Sequence, residues 1–211
     1  MPSRFFITGT DTGIGKTLSS ALLCAALDAY YWKPIQTGTS ETTDRVTVRR
    51  LAGLPEDREL AETYRFRPPV SPHLAAQRAG VRIDFRQIKV PVIPERANLI
   101  VEGAGGVLVP INEKQLMVDL MKYLGLPVLL VARTALGTIN HTLLSIAALR
   151  KARIDLRAVI MSGAPNCDNR RAIEQYGNVR VAGVIPKLRR INRAVLLEVF
   201  RKNFDQKAIV R

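Results

Sequence analysis

The stretch that decides the fold is "GTDTGIGKT", Gly9 to Thr17, which follows directly on the apolar run Phe5 to Ile7. Its Gly-Lys-Thr ending is that of a phosphate-binding loop, in which backbone N–H groups and a lysine hold the phosphates of a nucleotide. The general pattern leaves four residues between its first glycine and the Gly-Lys pair, so Gly9 lies one position too early. The apolar run before the loop and the helical pattern after it predict a phosphate site with a variant loop. A tight turn that happens to end in these letters is the alternative.

Beyond the loop, short apolar runs alternate with amphipathic stretches, which is typical of a parallel sheet with crossover helices. The predicted strands are "RFFITG" (4–9), "YYWKPI" (30–35), "NLIVEG" (98–103), "PVLLVA" (127–132), "RAVIMSG" (157–163) and "RVAGVI" (180–185). The predicted helices span residues 16–29, 44–51, 116–124, 138–151 and 169–176.

Two regions do not follow this alternation. Residues 55–95 are rich in proline and charge and are predicted to form an excursion from the sheet. The last ten residues, 202–211, are predicted to be frayed. The pattern as a whole predicts a single domain over residues 1–211. Its fold class is α/β, like that of P-loop NTPases, with a mainly parallel central sheet flanked by helices on both faces.

The composition is that of an ordinary globular protein, with 47% apolar and 24% charged residues in a chain of 211. No apolar run reaches the roughly 18 residues that a membrane span needs, and no signal sequence is recognised at the N-terminus. Cys24 and Cys167 have neither metal-ligand nor redox spacing. We therefore expect reduced thiols in a cytoplasmic protein.

The formal net charge of +14 would suit an anionic partner such as a nucleotide, a nucleic acid or a membrane surface. The 32 Lys and Arg residues are spread along the chain, however, and the densest cluster, Lys187 to Arg193, has no interleaved aromatic residues. We expect a solvated basic surface that attracts an anionic substrate, with no nucleic-acid and no membrane partner. A basic nucleic-acid-binding protein with a vestigial nucleotide site is the alternative, which the charge alone supports.

Polar or glycine-rich segments follow the first five predicted strands. They are the loop 9–17, "KPIQTG" (33–38), "EGAGG" (102–106), "RTALGTINH" (133–141) and "SGAPN" (162–166). In open α/β sheets, ligands bind outside the carboxyl ends of the strands. The sequence therefore predicts one site along this edge.

Three side chains at this edge are candidates for phosphate chemistry. Lys33 ends an apolar strand and is predicted to be a second cation beside a transferred phosphoryl group, although a surface lysine gives the same pattern. Glu102 is predicted to bind Mg²⁺, the alternative being an ordinary strand-end carboxylate. Asp44 opens a predicted helix and is either a further metal ligand or a plain N-cap. With the Thr17 hydroxyl, the two carboxylates would form an oxygen set that suits Mg²⁺.

Five motifs together resemble those of the dethiobiotin synthetases, ATP-dependent enzymes of biotin synthesis: "GTDTGIGKT", "YWKPIQTG", "SPHLAA", "VEGAGGVLVP" and "LPVLLVARTALGTINHTLL". The resemblance covers residues 3–190, and the motifs occur in that family's order and at its kind of spacing. The family carries its phosphate loop with one extra residue, so the spacing of the loop 9–17 favours this family.

The resemblance implies that Mg²⁺, ATP, CO2 or bicarbonate and 7,8-diaminopelargonate give dethiobiotin, ADP and phosphate. The implied route is a carbamate and then a carbamic–phosphoric anhydride. The implied catalytic residues, which would neutralise the carbamate and the γ-phosphate, are Lys16 and Lys33. The implied metal ligands are Thr17, Asp44 and Glu102. The implied nucleotide contacts are Thr12, Gly13, Ile14, Gly15, Lys16, Thr17, Glu102, Gly105, Ser162 and Pro186.

The resemblance also implies a homodimer with active sites shared across the interface. One chain would contact the substrate through Thr12, Lys33 and Thr37. The neighbouring chain would receive the substrate carboxylate at Gly137, Thr138, Ile139 and Asn140. That segment begins a predicted helix, where backbone N–H groups favour an anion, although the same residues also suit a simple helix cap.

Ser162 departs from the family, in which Asn is often found after the fifth strand at an adenine-contacting position. A hydroxyl makes fewer hydrogen bonds than an amide, so we expect a relaxed nucleotide preference. The partitioning ATPases, which share the sheet and a deviant phosphate loop, are a second alternative. That group usually has an extra lysine early in the loop, where this chain has Thr10, Asp11 and Thr12.

Overall fold

The computed structural model describes residues 2–40 and 42–209. Its strands are β1 (Arg4–Gly9), β2 (Tyr30–Trp32), β3 (Ile35–Thr37), β4 (Glu59–Leu60), β5 (Tyr64–Phe66), β6 (Leu99–Glu102), β7 (Val128–Arg133), β8 (Leu156–Ser162) and β9 (Val181–Ile185). Its helices are α1 (Lys16–Leu27), α2 (Asp44–Ala52), α3 (Pro72–Arg78), α4 (Met117–Leu124), α5 (Thr138–Lys151), α6 (Cys167–Gly177) and α7 (Arg193–Asn203). Within residues 2–40 and 42–209, every helix is too short or too polar to cross a bilayer.

Seven strands form one parallel sheet in the order β4-β2-β6-β1-β7-β8-β9. β1 lies at its centre, between β6 and β7. The loop that follows Gly9 therefore emerges at the middle of the carboxyl edge, with three strands of the sheet on either side. The predicted α/β class and the parallel sheet are confirmed.

The alternation of side chains in β1 divides the core into two layers. Phe5 and Ile7 pack with residues of α1, α2 and α7 on one face. Phe6 points the other way and packs with residues of α4, α5 and α6. Successive strand residues face opposite sides of a sheet, and a parallel sheet is covered on both sides. An unbroken apolar run is therefore what the central strand requires, and the predicted helices on both faces are confirmed.

The predicted strand 30–35 is two strands instead of one. β2 joins the main sheet beside β6, whereas β3 pairs with β5 in a separate two-stranded sheet. Pro34 lies between them and has no N–H to donate to a ladder. The break leaves Lys33 at the carboxyl end of β2, beside the central loop.

The excursion predicted for residues 55–95 is correct only in part. β4 returns to the main sheet and pairs with β2 at its edge, while β5 and α3 lie outside that sheet. The sixth helix begins at Cys167, earlier than the predicted residue 169. Its N-cap is Asn166, whose side chain accepts from the backbone N–H of Asn169.

The prediction of a frayed C-terminus is wrong for residues 202–209, and residues 210 and 211 lie outside the described residues. Phe204 forms a β-bridge with Gly183 of β9, and its ring covers that glycine so closely that an added Cβ would lie 2.5 Å from it. Phe200 stacks on the same ring, with centroids 5.5 Å apart. Although this segment is rich in basic residues, α7 has an apolar stripe with helical spacing, formed by Leu196, Val199 and Phe200.

Phe204→Ala is expected to lower the free energy of unfolding by about 3 kcal/mol, because it empties a buried aromatic site. The Phe204 side chain is 7% exposed, whereas that of Tyr176 on α6 is 70% exposed. The matched control Tyr176→Ala should therefore change the same quantity by less than about 0.5 kcal/mol. Urea unfolding followed by circular dichroism measures both. Equal, small effects would show that the C-terminal segment does not contribute to the core.

Candidate active site

The loop between β1 and α1 places backbone N–H groups at the centre of the carboxyl edge. Gly13 and Gly15 have φ angles of 70° and 104°, which are left-handed values that favour glycine. Lys16 is the first residue of α1, and its Nζ donates to the carbonyl oxygen of Asp11 at 2.8 Å. The variant spacing therefore folds as a phosphate-binding turn, and the alternative of an ordinary turn does not explain the lysine held over the loop.

The loop forms one wall of a cavity of about 660 Å³. Residues that are far apart in sequence meet here because they follow the ends of different strands. Most of the site residues predicted from the sequence line this cavity: Thr12, Gly13, Gly15, Lys16, Thr17, Lys33, Thr37, Asp44, Glu102 and Gly105.

Four of these side chains form a compact charged cluster, the ion cluster, which consists of Thr17, Lys33, Asp44 and Glu102. The Lys33 Nζ lies 2.5 Å from Asp44 Oδ2 and 3.4 Å from Glu102 Oε1. The Thr17 Oγ1 lies 2.6 Å from Asp44 Oδ1 and 3.0 Å from Glu102 Oε1. α1, α2, β6 and the end of β2 each supply one member.

The surroundings of Lys33 and Asp44 keep both groups charged. Burial lowers the pKa of Lys33, but the charges of Glu102 and Asp44 outweigh burial and hold that pKa above its usual value. Burial likewise raises the pKa of Asp44, but the ammonium of Lys33 and the hydrogen bonds from Lys33 and Thr17 outweigh it and lower that pKa. The pair is therefore an ion pair at neutral pH.

The positions of Lys33, Asp44 and Glu102 exclude the alternative interpretations of these residues as a surface lysine, a plain N-cap and an ordinary strand-end carboxylate. Lys33 is only 6% exposed, so it is not a surface lysine. The N-cap of α2 is Thr43, and Asp44 is the first helical residue with its side chain turned to the cluster. Glu102 is 1% exposed and contacts four side chains, unlike an ordinary strand-end carboxylate.

Lys16 differs from Lys33 because no carboxylate of residues 2–40 or 42–209 contacts its ammonium directly. Burial lowers its pKa to about 8, and the charge of Lys33 adds to this, against the opposing charges of Glu102, Asp44 and Asp11. Its only hydrogen bond within the described residues is to the carbonyl of Asp11. An anion in the cavity would supply the partner that this buried ammonium lacks.

Sequence reasoning missed three residues that hold the ion cluster in place. The hydroxyls of Ser20 and Tyr31 donate to Glu102 Oε2 at 2.8 and 3.0 Å, and Gln36 Oε1 accepts from the backbone N–H of Asp44 at 3.3 Å. Burial, together with the charge of Glu102, raises the pKa of Tyr31 well above its usual value, so the phenol keeps its proton.

Spacing is the signal that points to two of these residues. Ser20 follows Thr17 by three positions on α1, which places both on one helix face. Tyr31 precedes Lys33 by two positions, and strand residues two apart share a face.

The donor set fits a magnesium ion. The hydroxyl oxygen of Thr17 lies 2.6 Å from one carboxylate oxygen of Asp44 and 3.0 Å from one of Glu102. Hard oxygen donors that leave room for water and phosphate are what Mg²⁺ prefers. Residues 2–40 and 42–209 contain no group of three or more His, Cys, Asp or Glu side chains that could hold a metal ion, so this mixed hydroxyl and carboxylate set is the candidate.

The opposite side of the loop forms a polar cavity of about 400 Å³, lined by Thr12, Gly13, Ile14, Gly15, Arg133 and Ser162. Ser162 lies so close to the loop that a Cβ on Gly15 would meet its Oγ at 2.7 Å. Arg133 donates to the carboxylate of Asp11 at 2.8 Å. Pro186, another predicted nucleotide contact, lies just beyond β9 and outside both cavities.

The start of α5 is not part of the cavity that contains Lys33. Gly137 is the N-cap, and Thr138 uses its hydroxyl internally, donating to the carbonyl of Arg133 at 2.5 Å. The N–H groups of Ile139 and Asn140 have no acceptor in the described part of the chain. They are therefore the free donors at this helix end. Within one chain, the structure does not bring the predicted carboxylate contacts to the ion cluster.

Comparison with known proteins identifies the family. A family model described as an AAA domain matches residues 3–195. The chain is 48% identical over 204 residues to the ATP-dependent dethiobiotin synthetase BioD of Nitrobacter hamburgensis, covering 97% of this chain and 95% of that protein. It is 46% identical over 205 residues to the protein of the same name from Rhodopseudomonas palustris, covering 97% and 96%. The chain belongs to the dethiobiotin synthetase family. The resemblance drawn from the five motifs is thereby confirmed.

A solved structure supports the fold alone. The MinC:MinD cell division protein complex of Aquifex aeolicus includes a chain that is 15% identical to this one, with a TM-score of 0.50 over 89% of this chain and 82% of that one. A likeness at this identity is one of architecture and carries no function. The matched chain of that complex therefore shares the architecture. Because the chain belongs to the dethiobiotin synthetase family, the alternative of membership among the partitioning ATPases is wrong.

Nucleotide affinity is expected to fall as the pH rises through about 8. Burial lowers the Lys16 pKa in the free protein, and bound phosphates favour the ammonium and raise that pKa in the complex. Above pH 8, nucleotide binding is therefore coupled to the uptake of a proton. The affinity has its full value below that pH and falls by up to about tenfold per pH unit above it. Isothermal titration calorimetry in buffers of different ionisation enthalpy measures both the nucleotide affinity and the number of protons taken up on binding. The control Lys16→Arg remains charged; an identical pH dependence in this variant would exclude Lys16 as the source.

Proposed function

We propose that the protein makes dethiobiotin from 7,8-diaminopelargonate, CO2 and ATP, with release of ADP and phosphate. Membership in the dethiobiotin synthetase family supports ATP-dependent dethiobiotin synthesis as a step of biotin biosynthesis. The observation that carries the proposal is the position of buried Lys33, 2.5 Å from Asp44 and 3.4 Å from Glu102, in the cavity of the phosphate loop. Nucleotide binding alone requires only the loop lysine, whereas a second buried cation suits a reaction that develops negative charge.

The proposed reaction has three steps. One amine adds to CO2 and loses a proton, which gives a carbamate. A carbamate oxygen attacks the γ-phosphorus of ATP, and the bond to the bridging oxygen breaks with ADP as the leaving group. The second amine attacks the carbonyl carbon of the mixed anhydride, loses a proton and expels phosphate, which closes the cyclic urea. Each step moves negative charge, so positioned cations are the main contribution required of the protein.

Lys16 and Lys33 are the proposed cations. Lys16 lies on the loop, where it would leave the Asp11 carbonyl and bind the β- and γ-phosphates. Lys33 lines the same cavity and would hold the carbamate against the γ-phosphorus. Thr12 and Thr37 line the cavity between loop and excursion and are proposed to contact the diamine.

Thr17, Asp44 and Glu102 are the residues that would hold Mg²⁺. When bound, the ion neutralises phosphate charge. The carboxylates already sustain a positive charge between them, since Lys33 contacts both. The nucleotide contacts proposed for the loop, Gly105 and Ser162 rest on family membership and on the two cavities beside the loop. The contact proposed for Pro186 rests on family membership alone. The relaxed nucleotide preference expected from Ser162 and the cytoplasmic location stay predictions.

A homodimer would complete the site. The free N–H donors of Ile139 and Asn140 lie beside two conspicuous apolar side chains, Leu136 and Leu144, which are 100% and 62% exposed. A groove of about 440 Å³ runs from Thr12 along this surface and is lined by further apolar residues. Such a surface is typical of an interface. We propose that it pairs with a second copy, whose α5 receives the substrate carboxylate.

The wild-type protein with Mg²⁺, ATP, bicarbonate and 7,8-diaminopelargonate is expected to form dethiobiotin, with one phosphate released per product. Mass spectrometry measures the product, and a coupled assay measures phosphate. Phosphate release that does not depend on the diamine would contradict the proposed function.

Lys33→Ala in the same assay should lower kcat by about 100-fold or more, because it removes a cation from the reacting groups. The assay uses saturating Mg²⁺, so that an ion can balance Asp44 and Glu102, and circular dichroism confirms that the variant is folded. Lys122→Ala, which removes one exposed charge on α4, is the matched control and should leave kcat unchanged.

Leu144→Glu should convert a dimer of about twice the chain mass of 23.4 kDa into a monomer with little turnover. The reason is that a charge replaces an apolar side chain at the proposed interface, while every residue of the cavity is retained. Sedimentation velocity measures the mass. Tyr176→Glu, at an exposed site on α6, is the control. A monomeric wild type with full turnover would exclude the shared site.

A further inference from the structure

The carboxylate of Glu102 has a separate set of partners for each oxygen. Oε2 accepts from the hydroxyls of Ser20 and Tyr31, at 2.8 and 3.0 Å. Oε1 faces the cavity side, where Thr17 Oγ1 lies at 3.0 Å and Lys33 Nζ at 3.4 Å. One oxygen is thus held by neutral donors, and the other is directed at the ion cluster.

The two neutral donors come from rigid, fully buried positions. Ser20 lies on α1 and Tyr31 on β2, and each side chain is 0% exposed. β2 pairs directly with β6, with Tyr31 opposite Ile100, so the phenol reaches the carboxylate across one strand spacing. Neither residue lines the 660 Å³ cavity, and neither is positioned to touch a nucleotide or a diamine there.

A neighbouring hydroxyl provides an internal comparison. Ser19 is also fully buried on α1, but its Oγ has no hydrogen-bond partner within the described residues. Burial of a serine in this helix therefore does not by itself produce a contact with Glu102. The contact depends on the helix face that Ser20 shares with Thr17.

We propose that Ser20 and Tyr31 are positioning residues for the metal site, which hold Glu102 Oε2 so that Oε1 alone is presented to a divalent cation. The inference rests on the proposed function, in which Glu102 is a ligand of Mg²⁺. Without these donors the carboxylate is free to rotate, and Oε2 turns to the nearest cation, the Lys33 ammonium. Lys33 then competes with the metal for the carboxylate. Partners that orient a ligating group typically alter metal affinity by about 10- to 100-fold.

The test measures Mn²⁺ binding in the presence of ADP by electron paramagnetic resonance, which reports the metal without turnover. The wild type is compared with Ser20→Ala, Tyr31→Phe, the double variant and the control Ser19→Ala. We expect the Kd for Mn²⁺ to rise by about tenfold in each single variant and further in the double variant. Ser19→Ala should bind as the wild type does. In turnover assays the Mg²⁺ requirement should rise while KM for the diamine stays constant.

A purely structural role predicts a different result. Suppose that the wild type binds Mn²⁺ and turns over. Variants that lose thermal stability but bind Mn²⁺ as tightly as the wild type would then overturn this inference and leave the proposed function intact. A wild type that binds no Mn²⁺ with ADP would overturn the metal site of the proposed function and the inference with it. If Tyr31→Phe does not fold, Ser20→Ala decides, because it removes only one oxygen atom from the core.

Discussion

The compensation of buried charge at one point of the sheet edge is the constraint on which the rest of the structure depends. Glu102 and Lys33 are almost fully buried, and an unpaired charge in such a place is too costly to keep. Each has to find its partner within a few ångströms, so the ends of β2 and β6 and the first turns of α1 and α2 must meet there.

The same arrangement gives the two lysines of the site different charge behaviour. Lys33 has a permanent counter-charge and remains an ammonium at all physiological pH values. Lys16 rests on a neutral carbonyl, with its pKa lowered to about 8. One cation is thus charged throughout the physiological pH range, and the other begins to lose its charge as the pH rises through about 8. The two lysines differ because Lys33 contacts two carboxylates, whereas Lys16 contacts a peptide carbonyl oxygen.

The sequence predicted what depends on local chemistry and on strand ends. The loop 9–17, the burial of "FFI" and the convergence of Lys33, Asp44 and Glu102 all follow from residue types and from the parallel sheet. Ser20 and Tyr31 were missed because a serine in a helix and a tyrosine in a strand are ordinary core residues until the carboxylate beside them is located. α7 was missed because the basic cluster Lys187 to Arg193 leads directly into it and Arg201 and Lys202 end it, so that the segment reads as a charged tail. Pro34 is visible in the sequence, but only tertiary pairing shows that β3 joins β5.

The contact between Ser162 and Gly15 has a consequence for how this protein can change. Position 162 belongs to β8 and position 15 to the phosphate loop, yet a Cβ added to Gly15 would lie only 2.7 Å from Ser162 Oγ, which leaves no space for one further carbon atom on the glycine. A bulkier residue at 162 would press on the loop that holds the phosphates. Ser162, to which the proposed function assigns the base, and the loop proposed to hold the phosphates therefore constrain each other, and a substitution at 162 that changed the nucleotide preference would also act on the loop.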